Sequence, residues 1–210
     1  FLGGIQVLTI LVNVVRNKLA AVLLGTAGVG LSALYQSVIG FLHNTSNLGI
    51  SFSSIKEIAE FYGGNHPEKV LRQVEVVRTW SVWTGGAGML LCLLLSPAIS
   101  YWAFGDTSHI LSLCLLSPVM GFMAVTVGEI SILKAVRRLK RVAVISVLGA
   151  AATLLLTIPF YCFWGISGVV PALVVSTFGI MVVHLCLSLP VFPWCVDLLS
   201  REYFRKGWSM

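Results

Sequence analysis

Apolar residues in this chain run in long unbroken blocks, near residues 5–25, 30–50, 81–104, 110–133, 142–164 and 168–190. About 20 apolar residues in helical form cross the hydrocarbon core of a bilayer. The pattern therefore predicts an all-α, polytopic membrane helix bundle with six transmembrane helices. The two short connections GTAGVG (Gly25 to Gly30) and WGISG (Trp164 to Gly168) predict tight turns between antiparallel helices, with glycine supplying the backbone angles. The one sizeable polar segment, 55–79, is expected to be a cytoplasmic helical hairpin. Pro67 would start its second helix, and Val70, Leu71, Val74 and Val77 would form one face. That helix is expected to continue into the third span at Trp80 and Trp83.

Composition agrees with the membrane class. Of 210 residues, 57% are hydrophobic and only 10% charged, against roughly 25% charged in soluble chains. Twelve of the 14 Lys and Arg residues fall in three places. Lys56, Lys69, Arg72 and Arg78 lie between spans two and three. Lys134, Arg137, Arg138, Lys140 and Arg141 lie between spans four and five, and Arg201, Arg205 and Lys206 in the tail. The three intervening turns carry none, so the excess of positive charge on the cytoplasmic side places both termini in the cytoplasm. Basic residues spread in this way are no nucleic-acid footprint. The five cysteines show no CxxC spacing, and no metal site, cofactor or disulfide framework is expected. Asp106 and Asp197 are the only aspartates, and no HExxH, P-loop or Ser-His-Asp arrangement appears, so no enzyme is expected.

The candidate chemistry lies inside the spans. Charge in hydrocarbon costs at least about 2.5–3.5 kcal/mol per residue and is normally turned toward protein or a water-filled cavity. Span one carries Arg16 and Lys18. At about 100° per residue, Gln6, Thr9, Arg16 and Asn17 lie within roughly 60° of Asn13, so the stripe reads as a cavity lining, with Lys18 off it. Span two repeats the pattern with Ser32, Gln36, His43 and Asn47, and the dense HNTSNLG run suggests local unwinding near Gly49. His43 has a second reading, a histidine satisfied by a neighbouring helix. Glu129, the one acid inside an apolar block, also has two: a proton or cation coupling site, or an interfacial carboxylate paired with Arg137 or Arg138. His184, with Thr177 and Ser188 on its side of span six, is a weaker candidate.

Several of these runs resemble a known family. VVRNKLAAVLLGTAGVGLSALYQS and SNLGISFSSIKEIAE, then VGEISILKAVRRLKR and IPFYCFWGISGVVPAL, are similar to the bacterial O-antigen and polysaccharide flippases of the multidrug/oligosaccharidyl-lipid/polysaccharide exporter superfamily. The resemblance implies a MATE-like transporter of two pseudo-symmetric lobes, of which these residues would form the N-terminal one. A C-terminal lobe is expected beyond residue 210. It further implies a bacterial inner-membrane flippase whose partner is a polyprenyl-diphosphate-linked glycan. Arg16 and Lys18 would meet the diphosphate, while Gln6, Asn13, Asn17, Gln36, His43 and Asn47 would meet sugar hydroxyls. A cation-coupled drug or metabolite exporter of the same superfamily, with Glu129 as coupling site, is the alternative. A membrane-embedded polyprenyl-sugar transferase is the third reading.

Overall fold

The computed structural model describes residues 2–46, 50–64 and 67–188. They form six α-helices: α1 (Leu2–Ser46), α2 (Ile50–Gly63), α3 (Pro67–Phe104), α4 (Ile110–Ala135), α5 (Leu139–Trp164) and α6 (Val169–Ser188). A single 3-10 turn, Gly165–Gly168, links α5 to α6. Four stretches, lying in α1, α3, α4 and the α5–α6 pair, are long and apolar enough to cross a membrane.

Helix α1 is the informative departure from the expected six-residue turn. Its 45 residues would measure about 68 Å as a straight rod, more than twice the ~30 Å apolar core of a bilayer. One residue interrupts it: Gly25, at φ 69° and ψ −175°, a conformation that a side chain would strongly disfavour. The GTAGVG run is thus a break at its first glycine, and the remaining five residues stay helical. The break divides α1 into an N-terminal and a C-terminal arm. Helix α3 has 38 residues, about 57 Å, so the polar helix after Pro67 does run without interruption into the apolar stretch.

The distribution of side chains is the reverse of a soluble core. Trp102 is 87% exposed, Phe163 85%, Leu94 77% and Leu111 74%. Ser81, Thr84, Ser96, Ser100, Ser117, Thr126, Thr153 and Thr157 are buried instead. Lipid is as apolar as leucine, so helices in a bilayer gain most from close approach through small residues. Where α3 crosses α4, a Cβ at Gly85 would sit 3.0 Å from the Cα of Gly121, a separation that only glycine permits. Several of the buried hydroxyls are satisfied on their own helices: Thr84 donates to the Trp80 carbonyl at 2.8 Å, Thr126 to Phe122 at 2.7 Å and Thr157 to Thr153 at 2.7 Å.

The two ends of the bundle differ in chemistry. At one end, Gly28 of α1 meets Ile166 of the 3-10 turn. Nearby, the Tyr35 hydroxyl lies 2.9 Å from Nδ1 of His109, whose ring stacks on Phe104 at 4.4 Å between centroids. At the other end, Ile58 of α2, Val70, Val74 and Val77 of α3 and Ile132 and Ala135 of α4 form a second small core. Around it the exposed cations Lys56, Lys69, Arg72, Lys134, Arg137, Arg138 and Lys140 gather. Gln73 donates to the Glu57 carboxylate at 2.6 Å, fastening α3 to α2.

The tight corner between α4 and α5 uses a non-glycine residue where glycine is usual. Arg137 has φ 56°, its N–H donates to the Lys134 carbonyl at 3.0 Å, and the Arg138 N–H reaches back to Leu133 at 3.1 Å. This is the Schellman pattern, which normally places glycine at the left-handed position. Arg137→Gly is expected to stabilise the protein by about 1 kcal/mol, read as a higher melting temperature. An unchanged or lower temperature would mean that the arginine side chain itself holds the corner.

Candidate functional site

The polar residues of α1 lie on both sides of the break at Gly25. Gln36 of the C-terminal arm donates its amide N–H to Ser32 Oγ at 3.1 Å. Tyr161 of α5 is buried in the same apolar core as Leu24 and Tyr35 of α1. Along an unbroken helix, Arg16 and Ser32 would be about 24 Å apart. The break at Gly25 separates the arm that carries Arg16 from the arm that carries Ser32 and Gln36. Ser32 and Tyr161 are each 8% exposed, while Arg16 is half-buried and Gln36 open. Ser32 and Tyr161 are thus closed off within the bundle, whereas Arg16 and Gln36 keep an open side. Arg16 also approaches its neighbour Asn17, Nη2 to Oδ1, at 3.4 Å.

Other α1 candidates are placed less tightly. Asn13 and Thr9 are half-buried on the Arg16 side, and Gln6, Asn17 and Lys18 are exposed. His43 is half-buried and lines a narrow crevice with Ser46, Thr84, Gly88, Met120 and Ala124. The Ser46 hydroxyl is buried there with no hydrogen-bond partner among the described residues. Asn47 and Gly49 lie outside the described residues, as does the tail with Arg201, Arg205 and Lys206.

Glu129 does not have the partner expected of an interfacial carboxylate. It pairs with neither Arg137 nor Arg138 but with Arg78, which loop counting had placed among the cytoplasmic cations. Arg78 Nε donates to Glu129 Oε1 at 2.7 Å and Nη2 donates to Oε2 at 3.2 Å. Both side chains are 1% exposed. Ser188 of α6 donates to the same Oε2, so three helices converge on one carboxylate. His184, 5% exposed, lies in the field of Glu129 and has its Nδ1 2.8 Å from the Ile180 carbonyl. Two-pronged arginine–carboxylate geometry is the strongest form of such pairing, and it holds α3, α4 and α6 at the basic end of the bundle.

A signal for Arg78 was present in the sequence. It follows Val70 and Val74 at four-residue steps, on the face that α3 buries, and an isolated intramembrane acid calls for a cation at its own depth. Tyr161 had a signal too. Ile145, Gly149, Thr153, Thr157 and Tyr161 recur every four residues and are the buried face of α5.

The two clusters differ in what they can do. The Arg78–Glu129 group is sealed and internally neutralised. The Arg16 group carries a cation with no carboxylate beside it in the described hydrogen bonds and ion pairs, and it has an open side. Among the described residues no cluster of His, Cys, Asp or Glu suited to a metal is present. The chain matches no known protein family, no characterised protein and no solved structure.

Proposed function

We propose that this chain is the N-terminal lobe of a transporter that flips a polyprenyl-diphosphate-linked oligosaccharide, an O-antigen or related polysaccharide unit, across the bacterial inner membrane. The observation that carries the reading is Arg16, a half-buried cation within the apolar run of α1 whose described hydrogen bond goes to Asn17 and not to a carboxylate. A diphosphate crossing hydrocarbon needs a permanent positive charge in the plane of the membrane, and a guanidinium supplies it at any working pH. Neutral polar side chains along the same helix, Asn13, Asn17 and Gln36 among them, suit sugar hydroxyls. Transport proceeds by alternating exposure of a cavity closed by a second lobe, with no covalent step. In this reading the six spans run with both termini in the cytoplasm, α1 contributing one span on each side of Gly25. The basic end, with α2, faces inward.

The cation-coupled exporter needs Glu129 free to exchange its partner, whereas its carboxylate is engaged by Arg78 and Ser188. That favours the flippase. The direct test is the whole protein in proteoliposomes, supplied with a fluorescent polyprenyl-diphosphate glycan and scored by access of a sugar-modifying reagent. Protein-dependent movement is expected, and movement of cationic drugs alone would sink the proposal. Topology is checked separately. Cysteines placed at Asp106 and Ser167 should be labelled from outside the cell, and those at Arg72 and Arg138 only from inside. Outside labelling at Arg138 would overturn the orientation.

A further inference from the structure

We infer that the corner between α4 and α5 is a docking site for the headgroup of an anionic phospholipid, held by Lys134, Arg137, Arg138 and Arg141. The inference is independent of the flippase reading and needs only that the apolar helices cross a bilayer.

The charge of the basic end is unevenly spread. From residue 50 to Arg78, the cations Lys56, Lys69, Arg72 and Arg78 are matched by the acids Glu57, Glu60, Glu68 and Glu75. The corner instead gathers Lys134, Arg137, Arg138, Lys140 and Arg141, and no acid lies between Glu129 and Asp197. Glu129 itself is sealed against Arg78. Among the described residues, Lys134, Arg137, Arg138 and Arg141 pair with no carboxylate. The net positive charge of this end therefore resides at the corner.

Local geometry keeps these cations together. The Arg137 N–H donates to the Lys134 carbonyl at 3.0 Å, the Arg138 N–H to Leu133 at 3.1 Å and the Arg141 N–H to Arg138 at 3.0 Å. Their backbones thus share one compact turn. Lys134, Arg137 and Arg138 are exposed and Arg141 is half-buried, with Leu139, 47% exposed, standing among them. Depth follows from length. Helix α4 has 26 residues, about 39 Å, against ~30 Å of hydrocarbon. Apolar stretches reach the corner from both sides, Ile110–Ala135 and Leu139–Ser188, so its cations emerge at headgroup level.

A phospholipid brings its phosphodiester to that level on its own acyl chains, and a guanidinium grips two of the phosphate oxygens at once. Basic clusters of this size beside a membrane span draw anionic lipids, each cation contributing up to about fivefold in affinity. A soluble anion has no such anchorage in the bilayer.

The test is titration of the whole protein in detergent with phosphatidylglycerol and with phosphatidylcholine, bound lipid being counted by native mass spectrometry. The parent is expected to bind its first phosphatidylglycerol about twentyfold more tightly than phosphatidylcholine. Arg137→Gln with Arg138→Gln should weaken phosphatidylglycerol by about tenfold and leave phosphatidylcholine unchanged. Lys56→Gln with Lys69→Gln removes the same charge from the balanced region and should cost less than about threefold. Equal affinity of the parent for the two lipids overturns the site, as does a preference that survives in a folded Arg137→Gln, Arg138→Gln protein. Equal losses from the two exchanges mean a diffuse field, which overturns it as well. Inorganic phosphate that displaces phosphatidylglycerol at equal concentration, or polyprenyl diphosphate that loses more than phosphatidylglycerol in the same exchange, assigns the corner to another anion and overturns the phospholipid. Should the doubly exchanged protein not fold, a parental preference unchanged at about 0.5 M salt overturns the proposal. The flippase reading stands or falls separately, on Arg16.

Discussion

Arg78→Ala is expected to cost about 3–5 kcal/mol of stability, because it leaves the Glu129 carboxylate buried with its charge uncompensated. Nothing else in the described bundle carries a comparable penalty. Both partners are 1% exposed, and two hydrogen bonds join them. Ser188 would remain as a donor to Glu129, but one neutral hydroxyl does not neutralise a carboxylate. Glu129→Gln should be destabilising to a similar degree, since it strands the guanidinium. Replacing both at once, Arg78→Met with Glu129→Leu, should recover most of the loss or exceed the parent, because an apolar pair of similar size avoids desolvating two ions. Thermal unfolding in detergent or nanodiscs reads all three variants. A single substitution that melts like the parent would mean the pair is not formed in the membrane. A stable Glu129→Gln protein that no longer transports would move proton or cation coupling to the front.

The helices were largely legible from the sequence because lipid imposes a simple length rule. An apolar block of fixed length must be helical to satisfy its own backbone, and the blocks at 110–133 and 142–164 fall within α4 and α5. What the block pattern does not encode is which face of each helix meets protein. All-round apolar helices have almost no amphipathic signal, so the small-residue contact at Gly85 and Gly121 was invisible, as was the inside-out placement of Trp102 and Phe163. The turn after span one shows a different limit. Three glycines in GTAGVG look alike in sequence, and only packing selects Gly25 as the break, with Gly28 held against Ile166.

The basic end is legible from charge alone, but the burial of one of its members, Arg78, is not. Positive residues were sorted by position relative to apolar blocks, and Arg78 sits three residues before such a block. Depth along a helix and burial are separate quantities, however. The helix that carries Arg78 starts at Pro67, and its first turns are already packed between α2 and α4. Removing Arg78 leaves the asymmetry intact, since Lys134, Arg137, Arg138 and Lys140 remain exposed together. The Arg16 stripe was legible because polar residues in hydrocarbon are costly enough to be ordered by it.

Transport by the whole protein is expected to fall on the order of a hundredfold in Arg16→Ala, the usual consequence of deleting one member of a desolvated charged contact. The guanidinium is half-buried, and a lower effective dielectric there strengthens its attraction for an anion several-fold over bulk water. Arg16→Lys should rescue only partly, since an ammonium keeps the charge but cannot grip two oxygens in one plane. A competing account makes Arg16 a tether between span one and a carboxylate, and Glu129 is the one acid inside the apolar blocks. Glu129 is already engaged by Arg78 and Ser188. The two accounts therefore differ in a double-substitution experiment. If Arg16 serves the substrate, Arg16→Ala should leave the melting temperature near that of the parent, and its effect on stability should add to that of Glu129→Gln without coupling. A tether would instead lower protein abundance in Arg16→Ala and make the double substitution no worse than either single one. Export at the parental rate by a stably inserted Arg16→Ala protein would remove the cavity cation altogether, and with it the physical basis for a diphosphate substrate.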